Sequence, residues 1–308
     1  MQIHTKSPSN SALSMNGFLL VDKASGMTSH DVVAKIRRRF GTKKVGHAGT
    51  LDPMATGVLV LGLGNATKLL QYVVDGTKGY DATISLGKST VTDDVEGEVL
   101  TIAPSNALSA VTDSAIYDTL QKMVGTISQR PSSVSAIKVD GKTGHERVRA
   151  GEEFELPSRE VTITSIEIHE IHRTDVGIEL RISVICSAGT YIRAIARDLG
   201  SILGVGGHLS ALRRTLVSPF DLSECAPWEV AEPIPTASGI SRILPVRELD
   251  PSELNEISFG RTIAANLTER TTAALSADGT FVALLENRQI GEKILAAPTL
   301  VSMKESAL

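Results

Sequence analysis

The chain has 308 residues, 42% hydrophobic and 21% charged, with a net charge of −4 and a pI near 6.0. This is ordinary for a folded globular protein of one large or two smaller domains, and it gives no global signature of nucleic-acid binding, although a local basic face stays open. Two cysteines, Cys186 and Cys225, exclude a disulfide framework, lack metal-ligand spacing and fit a reducing cytoplasm; no run is apolar enough to span a membrane.

In chain order, residues 1–14 are polar, rich in Ser and Asn, and lack the apolar run of a signal peptide, so a disordered leader is expected. Residues 17–23 read as a strand closed by the turn Ala24-Ser25-Gly26. Residues 28–31 then offer a cap for a helix whose apolar spacing runs through Val32, Val33, Ile36 and Phe40. Its other face and the next turn carry Lys35, Arg37, Arg38, Arg39, Lys43 and Lys44, which suits either a solvated face or a phosphate-binding patch. The chain passes from there into Gly46-His47-Ala48-Gly49-Thr50-Leu51-Asp52-Pro53-Met54-Ala55-Thr56-Gly57-Val58-Leu59. Three glycines and a proline predict a tight loop, anchored by the apolar strand 57–64 and presenting His47 and Asp52. Read alone, Asp52 fits two roles equally: a turn residue bonding nearby amides, or a functional carboxylate.

Residues 66–73 predict a short helix, and 78–87 alternate as a half-buried strand in which Tyr80 is by default a core aromatic. The acidic run 92–98 lacks the ligand spacing of an EF-hand and reads as a loop. A helix is expected over 113–124, ended by Gly125. The excursion 129–153 holds Lys138, Lys142, Arg147 and Arg149 around His145, with Asp140-Gly141 as a hairpin signal; it suits a basic flap for RNA or an ordinary solvated loop. Strands are expected over 161–168 and 177–184, followed by a turn into a helix over 194–203 that Gly204, Gly206 and Gly207 end. His208 has no second ligand at metal spacing and reads as a core or surface histidine. Residues 226–239 have linker composition, and 257–263 and 279–286 read as strands of a small β-rich C-terminal domain.

The loop from Gly46 to Leu59 closely resembles the active-site motif of the bacterial TruB-type tRNA pseudouridine-55 synthases. The resemblance continues through residues 17–29, Lys78-Gly79-Tyr80, Arg130-Pro131-Ser132-Ser133-Val134-Ser135-Ala136-Ile137-Lys138, Gly189-Thr190-Tyr191-Ile192-Arg193 and residues 208–214, in family order across most of 17–220. Three departures stand out: Ala24 where the family usually has proline, His145 where tyrosine is frequent, and an acidic C-terminal part that resembles the family's PUA module only weakly.

The resemblance implies an α+β fold: a central, mostly antiparallel sheet with flanking helices in a catalytic domain over 15–236, a gripping insertion at about 129–153, and a PUA-like domain over 245–308. It implies isomerisation of uridine to pseudouridine at position 55 in the T-arm of tRNA, with the base flipped out and no cofactor or metal, by a cytoplasmic monomer. Asp52 would be the catalytic carboxylate and Arg193 its charge partner. Tyr80 and Tyr191 would bracket the uracil, Tyr80 lying near C5 as a further catalytic group. Leu212 would close the apolar wall, and His47 would stack where the nucleotide left a gap. Lys23, Lys43, Lys44, Arg213 and Arg214 are the candidates for phosphate contacts. Two alternatives remain, a tRNA-binding or tRNA-folding protein and a synthase for another uridine; a pure binder has no need of a carboxylate facing anionic RNA.

Overall fold

A computed structural model of the chain describes residues 16–133, 138–139, 142–143 and 156–302. The expected leader, His145, Arg147, Arg149 and most of the insertion lie outside the described residues.

Strand β1 (Gly17–Lys23) is apolar on both faces because both are covered. Leu19 and Val21 pack with Val32, Val33 and Ile36 of helix α1 (Ser29–Arg39), while Phe18 and Leu20 pack with Val58, Val60 and Phe220. A capping box starts α1: Asp31 N donates to Thr28 Oγ1 at 3.0 Å and Thr28 N to Asp31 Oδ2 at 2.9 Å. Each bond satisfies a donor that no helical carbonyl reaches. Strands β2 (Val45–His47) and β3 (Thr56–Leu63) pair antiparallel and hold the loop 48–55 between them. The helix expected over 66–73 is split into a 3₁₀ turn, Gly64–Leu69, and one α-turn, α2 (Gln71–Val74). Thr67 Oγ1 donates to Gly64 O at 2.8 Å, a local bond that competes with continuous α-helical pairing.

Strand β4 (Lys78–Leu86) leads to the pair β5 (Lys88–Thr90) and β6 (Val99–Ile102), then to α3 (Ser105–Ala110), α4 (Asp113–Lys122) and β7 (Gly125–Gln129). Within the insertion β8 (Lys138–Val139) pairs with β9 (Lys142–Thr143), in line with the Asp-Gly signal between them. A long antiparallel arm follows, β10 (Arg159–Thr174) and β11 (Gly177–Cys186), then α5 (Ile192–Ile202), β12 (Gly207–Val217), β13 (Phe220–Asp221) and β14 (Ile234–Pro235). The main sheet runs β14-β1-β3-β12-β4-β11-β10-β7, with β2 beside β3 and β13 beside β12. Its pairings are antiparallel except at β3–β12, so this is the expected α+β architecture. Ile116 and Leu120 of α4 and Ile195 and Leu199 of α5 cover one face of the sheet, against Ile84, Leu180 and Ile182.

The parallel seam is short: Arg213 faces Thr56 and Arg214 faces Gly57. Gly57 has φ +100°, and a Cβ there would lie 2.2 Å from Arg214 O. Gly57→Ala is therefore expected to pry β3 from β12 and to cost roughly 3–5 kcal/mol, the range of severe backbone and packing lesions. Urea unfolding monitored by circular dichroism would show it; a loss under 1 kcal/mol, on the order of a surface substitution, would contradict this account.

Two expectations need correction. The supposed linker 226–239 is built into the fold, with Ala226 bridging Val21, Trp228 and Ala231 packing beside α1, and β14 pairing with β1. Pro235 is tolerated in β14 because that is an edge strand. The stretch 257–263 is not one strand: helix α7 (Pro251–Ser258) takes Ile257, after the short helix α6 (Thr236–Ile240) and strand β15 (Val246–Glu248). Asp250 caps α7 with a donor at Glu253 N, 2.8 Å away, and Pro251 occupies its first turn. Strands β16 (Ile263–Ala264), β17 (Thr272–Leu275), β18 (Phe281–Ile290) and β19 (Lys293–Val301) complete a second sheet in the order β15-β17-β18-β19-β16. This β-rich part shares a core with the first, because Ala273, Phe281 and Leu284 pack in one cluster with Phe18, Phe220 and Ile240. Burial of each large apolar side chain there contributes roughly 1.5–3 kcal/mol.

Candidate active site

The 48–55 loop is fixed mainly through its own main chain. Ser29 Oγ accepts from Leu51 N at 2.9 Å and donates to Leu51 O at 3.2 Å. Gly26 N donates to Pro53 O at 2.9 Å, and Lys23 Nζ donates to the same carbonyl at 3.2 Å as well as to Ala24 O and Met27 O. From the other side Arg214 donates to Val58 O at 2.8 Å, Gly49 O at 3.2 Å and Thr50 O at 3.4 Å. Lys23 is fully buried, which pushes its ammonium pKa down to about 8, with Asp52 and Glu96 acting in the opposite sense. Lys23 and Arg214, both expected at phosphates, thus face inward in this structure: two buried cations are taken up by carbonyls that need donors.

This bracing delivers Asp52 to Arg193. Arg193 Nε lies 3.0 Å from Asp52 Oδ2 and Nη2 lies 3.3 Å from Oδ1, a bidentate fork that fixes the plane of the carboxylate. The far side of the same guanidinium, through Nη1, meets Thr92 O at 2.8 Å and Asp94 Oδ2 at 3.2 Å. The side chains of Arg193 and Asp94 are 5% and 4% exposed, whereas that of Asp52 is 28% exposed, so the open member of the cluster is the carboxylate of the loop. Asp94 is itself ordered by Thr92 Oγ1 at 2.5 Å and Glu96 N at 3.0 Å. Asp52 is therefore not the simple turn aspartate that its sequence context allows. Asp94 was hidden in the acidic run read as a plain loop; its Thr-x-Asp spacing, which lets Thr92 and Asp94 bond, was the one local hint.

Asp52 opens into a cavity of about 310 Å³ lined also by Thr50, Leu51, Val74, Lys78, Tyr80, Arg159, Tyr191, Leu212 and Arg214. That is the low end of small-ligand sites, roughly 300–1,000 Å³, a space for one base and not for a duplex. The sheet brings the walls together: Tyr80 of β4 faces Arg214 of β12, and Leu212 faces Ala82. Burial pushes the Tyr80 phenol pKa up, opposed by the Arg214 charge beside it, so at neutral pH it is a hydroxyl and not a phenolate. On the cavity wall Lys78 Nζ donates to Val73 O, Val74 O and Gly76 O at the end of α2, and burial lowers its pKa to about 8. Tyr191 caps α5; its backbone N donates to Gln129 Oε1 at 2.8 Å and its carbonyl accepts from Gln129 Nε2 at 3.1 Å. The Arg159 guanidinium lies 4.8 Å over the Tyr191 ring and donates to Gly189 O. Gln129 and Arg159 are two further residues that the sequence did not single out.

The remaining sites lie outside this cavity. His47 sits at the entry to the loop, half-buried, with His30 against it edge to face at 5.4 Å; burial, then His30 and Arg214, lower its pKa. Lys43 and Lys44 are exposed on the turn after α1. Arg213 pairs with Asp22 at 2.7 Å and donates to Thr56 Oγ1 at 3.1 Å. His208 is buried, its Nδ1 3.2 Å from Lys88 O. Among the described residues no group of three or more His, Cys, Asp or Glu is placed to hold a metal ion, and no helix is long and apolar enough to cross a membrane.

Comparison with known proteins gives this geometry a lineage. Residues 37–192 match the N-terminal domain of the TruB family of pseudouridylate synthases, 193–231 the tRNA pseudouridylate synthase B C-terminal domain, and 244–293 the C-terminal domain of tRNA pseudouridine synthase II. The tRNA pseudouridine synthase B of Corynebacterium diphtheriae is 49% identical over 284 residues, 91% of this chain and 95% of that one. The protein of the same name from Arthrobacter sp. is 49% identical over 286 residues, 88% of this chain and 92% of that one. Among solved structures, a Cbf5-Nop10-Gar1 complex matches with a TM-score of 0.66 and 25% identity, covering 93% of this chain and 84% of that one. An H/ACA RNP bound to a substrate RNA containing 2′-deoxyuridine matches with a TM-score of 0.68 and 23% identity, covering 98% and 89%, and supports the fold. With its sheet, its domain matches and its relatives in agreement, the chain belongs to the TruB family of pseudouridylate synthases.

Proposed function

We propose that this protein isomerises uridine to pseudouridine at position 55 in the T-arm of tRNA, with Asp52 as the group that acts on the flipped nucleotide. The relatives' shared name supplies the substrate class. The observation that carries the reading is the Asp52–Arg193 fork at the edge of a base-sized cavity. The reaction breaks the C1′–N1 bond, joins C1′ to C5 of the same base, removes a proton from C5 and returns one to N1. It has no net redox change, so one oriented carboxylate and proton-handling groups suffice. Arg193 holds the Asp52 carboxylate in a single plane toward the incoming nucleoside. Extruding the base costs a few kcal/mol. Packing it between Tyr80 and Tyr191 offsets this, at about 1–3 kcal/mol for each stacked face. The Tyr80 hydroxyl, whose pKa burial raises further, serves the C5 edge as a hydrogen-bonding group. Exposed Lys43 and Lys44 are candidates for phosphate contacts, and His47, at the loop entry, would stack on the RNA where the flipped nucleotide left a gap.

The deciding experiment is to incubate the purified full-length chain with unmodified tRNA transcript and to map pseudouridine by chemical labelling and primer extension. A single modified site at uridine 55 is expected. Modification at another uridine would move the substrate assignment, and tight binding with no product would favour a tRNA-folding role.

A further inference from the structure

The described roots of the basic insertion are fastened to the helix that carries Arg193. On one side Gln129, buried at the end of β7, clamps the main chain of Tyr191 in both directions. Beyond it, Arg197 Nη2 donates to Arg130 O at 2.7 Å and Nη1 reaches Pro131 O at 3.5 Å. Arg197 Nη1 also lies 3.2 Å from Asp93 Oδ2, the residue between Thr92 and Asp94. Arg193 and Arg197 are four residues apart on α5 and so lie on one face of it. The two arginines therefore grip one turn: Arg193 holds Thr92 O and Asp94, and Arg197 holds Asp93. Asp93 occupies the left-handed region at φ 59°, a conformation uncommon for a residue with a side chain but tolerated by Asp and Asn.

We propose that Arg197 is a positioning residue for the reaction: it locks the insertion root at residues 130–131 to the 92–94 turn, and through that turn sets where Arg193 holds Asp52. The proposal rests on the reading of Asp52 and Arg193 as the working pair. An unbroken series of contacts carries it, from Arg130 O through Arg197 and Asp93 to Asp94, Arg193 and Asp52. Arg197 takes no part in lining the cavity, so its effect must pass through the orientation of Arg193. Misplacement of a catalytic group by about 1 Å costs on the order of 10²-fold in rate, so a partial release is expected to cost about 10-fold.

The test compares wild type, Arg197→Met, Arg197→Lys, Asp93→Asn and the double variant Asp93→Asn/Arg197→Met on the same tRNA transcript. Pseudouridine formation gives kcat and KM, and circular dichroism melting reports the fold. Arg197→Met is expected to lower kcat about 10-fold with KM within about twofold, the pattern of a lost positioning effect. Arg197→Lys keeps the charge and should restore most of the rate. Asp93→Asn keeps the left-handed backbone and should match Arg197→Met, while the double variant should be no slower than either single one, because both remove the same link. Unchanged kcat with only a lower melting temperature would overturn the proposal, as would a rise in KM alone or losses that multiply in the double variant. Should Arg197→Met fail to fold, Asp93→Asn carries the comparison: its kcat is expected about 10-fold below that of wild type, with Arg197→Lys near wild type, and an unchanged kcat in Asp93→Asn would overturn the proposal. A wild-type chain that forms no pseudouridine at all would sink the functional reading, a different result from a wild-type chain whose variants are unchanged.

Discussion

Asp52→Asn is expected to leave the chain folded and able to bind tRNA while lowering the rate of pseudouridine formation on the order of 10³-fold or more, near the upper range for removal of an acid–base or nucleophilic group. The amide has almost the same shape, and Arg193 keeps Asp94 and Thr92 O as partners, so no buried cation is abandoned. The 28% exposure of Asp52 limits the electrostatic penalty further. What disappears is the negative charge at the cavity, along with its capacity to attack or to take a proton. Single-turnover assays beside gel-shift binding would separate the two properties, and undiminished product would end the assignment.

Arg193→Leu is expected to harm both stability and rate. It leaves Asp94, 4% exposed, with no guanidinium, and breaking a buried pair by removing one partner costs about 3–5 kcal/mol. It also frees Asp52 to rotate, for a further loss on the order of 10²–10³-fold in kcat, the range seen when a preorganised electrostatic group is lost. The two effects can be parted. Adding Asp94→Asn to Arg193→Leu removes the stranded charge and should return much of the stability in urea unfolding, but none of the rate. Recovery of activity in that double variant would mean that Arg193 serves only the fold. A lysine at 193 is no substitute, since one ammonium cannot present the planar fork that meets Asp52 on one side and Asp94 on the other.

How far the sequence discloses this site depends on whether an interaction is local. A continuous apolar run marks β1, alternation marks β4 and β11, and a capping residue marks α1, because each is dictated by its own neighbours. The glycines and Pro53 likewise mark the Asp52 loop. Gln129 gives no local signal and Asp94 only its spacing from Thr92, since their partners Tyr191 and Arg193 come from another part of the chain and meet them only in the folded sheet. Lys23 and Arg214 look like surface cations for the same reason: nothing local says that loop carbonyls will surround them. Helix α7 is masked in the sequence because Ile257 to Ile263 happens to alternate, and the cap at Asp250 outweighs that pattern.

The single parallel seam of the sheet also fixes when the site can exist. Strands β3 and β4 follow one another in the chain, yet β12 is inserted between them, and it is the element that sets the Asp52 loop beside Tyr80. During synthesis the emerging chain therefore carries β3 and β4 as open edges until residues 207–217 leave the ribosome. Such late, non-local pairing is slow and leaves strand edges exposed in the meantime. The Asp52 loop is translated early, but its pocket closes only when one of the last strands of the main sheet slides into the gap.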